Sequence, residues 1–202
     1  MIDVMAERST GAVAKRREAK VATIVANAWD LARENGIAGV SLRELASRVG
    51  MRQPSLYAYF DSKDALYDAM FADGNRQLLD HLGNVELPQD PRASLKAFVR
   101  AWLDFAQADL ARCALLFERH LPGFTPSPAA YALAQEALRP LVDLAHAAGV
   151  IHQGDVDCIV AVAAGLLEAQ IANDPTGDRW VRHTDRLIDL LVDDALSRDR
   201  ST

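Results

Sequence analysis

Arg52, Gln53, Ser55 and Tyr59 are the side chains of this sequence best equipped for recognition chemistry, and their spacing puts them on the face of one helix opposite Leu56 and Phe60. A guanidinium can donate two parallel hydrogen bonds to guanine, and a glutamine amide can pair in the same way with adenine. Serine and tyrosine hydroxyls can reach bases or phosphate oxygens. The same face would equally suit a packed helical hairpin with an ordinary polar surface.

The elements that must position these groups are legible on either side. Ser41 followed by Glu44 forms a capping box, in which hydroxyl and carboxylate each satisfy an exposed backbone N–H, so a helix is expected to begin at Leu42. Leu42, Leu45, Ala46 and Val49 make its apolar stripe, and Gly50 can take the left-handed conformation that stops it. Pro54 falls in the first turn of the next helix, where a missing N–H costs little. Two short helices joined by a tight turn make a helix-turn-helix, whose second helix can enter a major groove N-terminal end first.

Charge sharpens this reading. The 202-residue chain carries a net charge of −6, which gives no global attraction to a polyanion. Residues 1–60, however, hold nine Lys/Arg against six Asp/Glu, and residues 61–202 hold 13 against 22. The basic cluster Lys15, Arg16, Arg17 and Lys20 precedes the hairpin, as a phosphate-binding arm or as a solvated, partly disordered one.

The segment Ile24–Met70, "IVANAWDLARENGIAGVSLRELASRVGMRQPSLYAYFDSKDALYDAM", resembles the TetR-type transcriptional regulators of bacteria. It joins a long first helix, the Gly36 turn, a capped second helix, an L-Y-x-Y-F third helix and "SKDAL" opening a fourth. "LPGFTPSPAAYALAQEAL" and "ANDPTGDRW" are similar to the regulatory region of an actinobacterial subgroup. The resemblance places Ser41, Arg43, Arg52, Gln53, Ser55, Tyr57, Tyr59 and Lys63 where the family touches DNA. Tyr57 and Lys63 would hold phosphates, and Arg52 and Gln53 would read bases. It also implies a homodimer on a palindromic double-stranded DNA operator, released by a small-molecule effector. Pro54, Ala58 and Ala32 depart from the commonest pattern, and Trp29 is expected to fill the volume Ala32 leaves.

Helical periodicity runs through the remainder and no strand-like alternation stands out, so the fold class is all-α. About nine helices are expected, near 13–35, 42–49, 53–59, 62–82, 92–109, 111–120, 127–148, 155–172 and 178–197, with a kink at Pro140. The organisation expected is a DNA-binding unit over 1–60 and a ligand-binding and dimerisation unit over 61–202, with helix 62–82 connecting them at Asp61 and Ser62.

The C-terminal part lacks a Gly-rich phosphate loop, G-x-S-x-G and H-E-x-x-H, which argues against an enzyme and calls for no cofactor. Cys113 and Cys158 are widely spaced, so no disulfide framework, zinc site or other metal centre is expected, and a cytoplasmic location fits. No signal-like or membrane-spanning apolar run is present, so no membrane partner is expected. Trp102, Phe105, Leu116, Phe117, His120, Phe124, Tyr131, Leu138 and Gln170 are candidates for a pocket, although the same composition makes an ordinary bundle core. "DCIVAVAAGLLEAQIA" is apolar on all sides and needs cover. Ile159, Val162, Ala163, Leu166, Leu167, Leu187 and Leu191 are the candidates for a two-fold helical interface, against a buried central helix in a monomer. A weakly specific DNA binder and a helical enzyme with a hydrophobic substrate are the rival readings.

Overall fold

The computed structural model describes residues 3–118 and 121–199, and the side chains of 13–118 and 121–198. Among the described residues there are nine α-helices and no strands: α1 (Asp3–Asn35), α2 (Leu42–Arg48), α3 (Gln53–Leu56), α4 (Lys63–Gly83), α5 (Pro91–Gln107), α6 (Leu110–Leu116), α7 (Pro128–Ala147), α8 (Gln153–Asn173) and α9 (Thr184–Asp199). Short 3-10 turns at Ile37–Gly39 and Val181–His183 complete the set.

Side-chain caps start most of these helices. Ser41, Ser62, Asp90, Asp109 and Ser127 each accept from the backbone N–H three residues on, which satisfies a donor the helix itself cannot. Gly36 (φ 74°) and Gly50 (φ 67°) occupy the left-handed region at the two turns that fold the first three helices onto one another.

Four boundaries differ from the sequence expectation. Helix α1 reaches back to Asp3, because strong helix formers outnumber the single Gly11 in that stretch. Helix α3 keeps α-helical bonding only to Leu56, after which Tyr59 and Phe60 both donate to the Leu56 carbonyl. Helix α6 ends at Leu116. The residues before Thr184 form a turn because the Trp180 and Val181 amides donate to Gln170 Oε1 at 2.8 and 3.3 Å instead of opening a helix. Helix α7 runs unbroken through Pro140.

Two apolar clusters form the interior. The first joins Ile24, Ala28, Trp29, Ala32, Leu45, Leu56 and Phe60 to Leu66, Met70, Leu115 and Ala130, so the first three helices share their core with α4, α6 and α7. The second runs from Leu78 and Leu95 through Phe98, Leu103 and Phe105 to Ile159, Ile188 and Val192. A ladder of ion pairs fastens α9 along α5: Arg92 to Asp193 at 2.7 Å, Lys96 to Asp189 at 2.9 Å, and Arg100 to Asp185 at 2.5 Å. These pairs lie at the surface, where each contributes about 1 kcal/mol at most, so they fix register while the core supplies stability.

Gly74 sits where α4 passes between the two halves. A Cβ there would lie 3.1 Å from Leu116 Cδ1 and 3.3 Å from Trp29 Cζ2. Gly74→Ala therefore forces two packed side chains apart and should lower unfolding stability by about 1–3 kcal/mol, read from a urea titration. An unchanged midpoint would mean that Leu116 and Trp29 yield freely.

Candidate nucleic-acid interface and effector cavity

Helices α2 and α3 meet through Val49–Arg52, with Met51 N–H donating to the Ala46 carbonyl at 2.8 Å across the turn. Behind them Leu45, Ala46, Leu56 and Phe60 are buried. In front, Arg43, Arg52, Ser55 and Tyr57 are exposed, while Ser41 and Gln53 are half-buried. The burial pattern thus gives the pair one packed face and one polar, cation-bearing face.

Three of the expected contact residues are also engaged within the protein, Ser41 as the side-chain cap of α2. Lys63 Nζ donates to the Ala38 carbonyl at 3.1 Å and lies 5.3 Å from the centre of the Tyr67 ring. Tyr59 is half-buried with the Arg17 guanidinium 5.1 Å from its ring centre. Arg17 and Lys20, which donates to the Val49 carbonyl at 3.1 Å, bind the basic stretch of α1 to the hairpin as ordered helix rather than a loose arm. Glu34 and Glu44 both accept from Arg48, whose guanidinium pKa is raised chiefly by the Glu34 hydrogen bond. Arg48 is thus committed to the body of the unit, a role its position in the sequence does not reveal.

Between α4, α5, α7 and α8 lies a cavity of about 660 Å³. Of the residues expected there, Trp102, Leu116, Phe117 and Leu138 line it. Phe105 does not: it is buried beneath Arg112, whose guanidinium lies 3.6 Å from its ring centre. Gln170 does not either, because its whole amide is consumed in closing the end of α8, where it donates to the Asp174 and Gly177 carbonyls and accepts from two amides. Phe124 and Tyr131 line a second cavity of about 510 Å³, which shares Leu116 and Ala134 with the first. His120 lies outside the described residues. Asn75, Glu118 and Glu168 also line the first cavity. For Asn75 and Glu168 the signal was a polar residue on a helix stripe that is otherwise apolar, most visibly Glu168 in α8.

Cys113 is buried beside this cavity, and its Sγ donates to Glu118 Oε1 at 3.7 Å. Burial, and secondarily the Glu118 charge, push its pKa up to about 12. The thiol is the neutral form in the folded protein up to that pH, whereas the unfolded thiol ionises near 9. Stability linked to this group is therefore intact below pH 9 and is lost as pH rises from about 9 to about 12. Iodoacetamide at pH 8 should leave Cys113 unmodified in native protein and alkylate it after denaturation, read by peptide mass; rapid native alkylation would mean the site opens.

The expected dimer residues need correction. Ile159, Ala163, Leu166 and Leu167 are buried inside the protomer, and Leu167 faces the cavity. Val162, Leu187 and Leu191 are half-buried. Ala161, Ala164, Gly165 and Leu190 are among the small and apolar residues that α8 and α9 leave exposed, the last 56% exposed. An all-round apolar helix has no period from which to tell its inner face from its outer one, which is why the sequence expectation included residues that the protomer itself buries.

Residues 24–70 match the model of the bacterial regulatory proteins, tetR family. The tetracycline repressor protein class A from transposon 1721 of Escherichia coli is 46% identical over 48 residues, 24% of this chain and 22% of the repressor. The HTH-type transcriptional regulator Rv1816 of Mycobacterium tuberculosis is 32% identical over 126 residues, 57% of this chain and 52% of that protein. The chain thus matches about half the length, or less, of these curated relatives. The solved regulatory protein SCO4313 superposes with a TM-score of 0.69 at 24% identity, over 91% of this chain and 98% of its own. The transcriptional regulator FadR of Bacillus subtilis, solved with stearoyl-CoA, superposes with a TM-score of 0.61 at 16% identity, over 84% and 96%. Residues 24–70 thus match the tetR family, and the fold of the chain is the one these solved proteins share.

In this chain, polar side chains tie the helix-turn-helix unit to the helices around the cavity. Trp29 Nε1 donates to Asp73 at 2.9 Å, Asp73 also accepts from Gln77 at 2.7 Å, and Gln77 accepts from Arg112 at 2.8 Å. Arg33 donates to Asp109, the cap of α6, at 2.9 Å, and the Tyr67 hydroxyl donates to the Ile37 carbonyl at 2.9 Å. Burial lowers the pKa of Arg112 from its ordinary value, as expected for a cation held in a partly desolvated junction.

Proposed function

We propose that this chain is a ligand-responsive, sequence-specific DNA-binding transcriptional regulator, acting as a homodimeric repressor on a palindromic operator, with residues 1–60 as reading head and 61–202 as regulatory body. The observation that carries the reading is the exposed face of Arg43, Arg52, Ser55 and Tyr57, held on a packed, capped helix pair inside the segment that matches the tetR family. Arg52 and Gln53 stand at the N-terminal end of α3, the end that meets base edges when such a helix enters a major groove. Lys63, Tyr57 and the basic residues of α1 serve phosphate contact. Two such heads on a two-fold axis would engage successive grooves about 34–36 Å apart.

The two cavities support a small apolar or amphipathic effector, in keeping with FadR, whose solved structure holds stearoyl-CoA. Leu116 lines both cavities and packs against Gly74 of α4, so displacing it presses on the helix that carries the reading head. A ligand preferring the displaced arrangement lowers operator affinity by the factor by which DNA lowers ligand affinity, about 5- to 150-fold for a coupling of about 1–3 kcal/mol. The uncovered small-residue face of α8 supports the dimer, since small side chains allow close helix approach across a two-fold axis. The curated relatives are named as regulators, which favours this reading over a helical enzyme.

The deciding experiment selects bound duplexes from a random pool with purified protein at near-physiological salt. An enriched inverted repeat is expected. Binding without enrichment and with a steep salt dependence would instead establish a weakly specific binder.

A further inference from the structure

We infer that the cavity of about 660 Å³ selects an uncharged apolar molecule with one hydroxyl head, which donates to the amide oxygen of Asn75; the inference rests on reading the chain as ligand-responsive. Asn75 lines the cavity and is only 2% exposed. Its Nδ2 donates to the Phe71 carbonyl at 2.9 Å, one helical turn back, and that bond fixes which end of the amide is the nitrogen. The oxygen accepts no hydrogen bond among the described residues. The unpartnered side-chain atoms that are wholly shut away among those residues are Arg112 Nε, Asp155 Oδ2 and Trp180 Nε1. The Asn75 oxygen is not one of them, so it keeps an accessible surface, and the space Asn75 lines is the cavity. A buried acceptor left unmet is costly, which leaves this one for a donor on the occupant.

The surroundings favour an uncharged head. Leu78, one turn along α4 from Asn75, and Phe98 and Val99 of α5 line the cavity and are 3% exposed or less, whereas Leu138 of α7 and Ala164 and Glu168 of α8 line it and are exposed. The cavity thus has a closed floor at α4 and α5 and a mouth between α7 and α8. A charged head at the floor would exchange its hydration for apolar walls and one neutral amide, which do not replace it. A hydroxyl gives up far less and regains a hydrogen bond. Glu168 stands in solvent at the mouth and Glu118 is engaged by the Cys113 thiol, so neither carboxylate sets the head group. The apolar body then lies along Trp102 and Phe117, whose ring centres are 4.8 Å apart and whose planes are inclined at 59°.

The anchor also lies on the helix through which an effector must act. Asn75 follows Gly74 in α4, where Leu116 packs closely and lines the same cavity. A ligand tied to Asn75 therefore bears on the helix that carries the reading head and does more than fill space.

The test is calorimetric titration of the full chain with straight-chain probes of matched size: nonanol, methyl octyl ether, nonanone, octanoate and nonylamine. Nonanol should bind about fivefold or more tightly than the ether or the ketone, the worth of one neutral hydrogen bond. Asn75→Leu keeps the bulk and removes the acceptor, so it should erase that preference by weakening nonanol while leaving the ether unchanged. Retained ether binding shows that the variant's cavity is intact, and if the variant does not fold, the ranking on the unaltered chain decides. Equal binding of alcohol, ether and ketone would overturn the inference while leaving a ligand cavity in place, as would tighter binding of octanoate or nonylamine than of nonanol. An alcohol preference undiminished in folded Asn75→Leu would overturn the role of Asn75. No binding by any probe would remove the cavity as an effector site, and the effector reading with it.

Discussion

Arg52→Ala will relax base preference at one position of each operator half-site at a cost of about 1–3 kcal/mol, while leaving affinity for unrelated duplexes nearly unchanged. The expectation follows from placement: Arg52 is exposed, precedes the first residue of α3, and has no side-chain hydrogen bond at the helix cap. Its guanidinium is thus available for a bidentate contact with guanine. Lys63→Ala should behave differently, weakening all sequences alike and flattening the salt dependence by about one phosphate contact. Because Lys63 also donates to the Ala38 carbonyl, part of its loss should appear as looser docking of Ile37–Gly39 against α4. Competition binding with a set of single-base operator variants separates the two. A uniform loss from Arg52→Ala would remove its base-reading role.

Gly165→Glu should convert the proposed dimer to monomers and lower operator affinity by about 100-fold or more, since a linked second half-site typically multiplies affinity by about 10²–10⁴. The substitution is informative because a Cβ at Gly165 meets nothing within 4 Å of the protomer, so the protomer itself accommodates it. Across a two-fold axis the same side chain would place charge and bulk against its own copy. Leu190→Glu, on the exposed side of α9, should act in the same direction. Sedimentation equilibrium reads the mass directly, with circular dichroism as the check on folding. A dimer that survives both substitutions would place the interface elsewhere. Leu167→Glu is unsuited to this purpose: Leu167 is 3% exposed within the protomer, and a carboxylate there would damage the cavity wall.

The sequence by itself determined the all-α class and most of the helix starts, because Ser41, Ser62, Asp90, Asp109 and Ser127 are local signals that act within three residues of themselves. It determined the helix-turn-helix for the same reason: cap, apolar stripe, left-handed glycine and first-turn proline are contiguous between Ser41 and Pro54. Tertiary structure alone decided which apolar side chains enclose empty space. Phe105 and Phe117 read alike in sequence, yet one lies beneath Arg112 and the other faces the cavity. It alone decided which side of α8 is covered, since a helix apolar around its circumference carries no directional signal and the neighbours that bury Ile159 are distant in the chain. It also decided the partners of Trp29, Asp73, Gln77 and Arg112, whose interactions close only when α1, α4 and α6 pack together. Local chemistry fixes where a helix begins, but which of its faces meets a cavity, a neighbour or solvent is set by contacts between residues far apart in the chain.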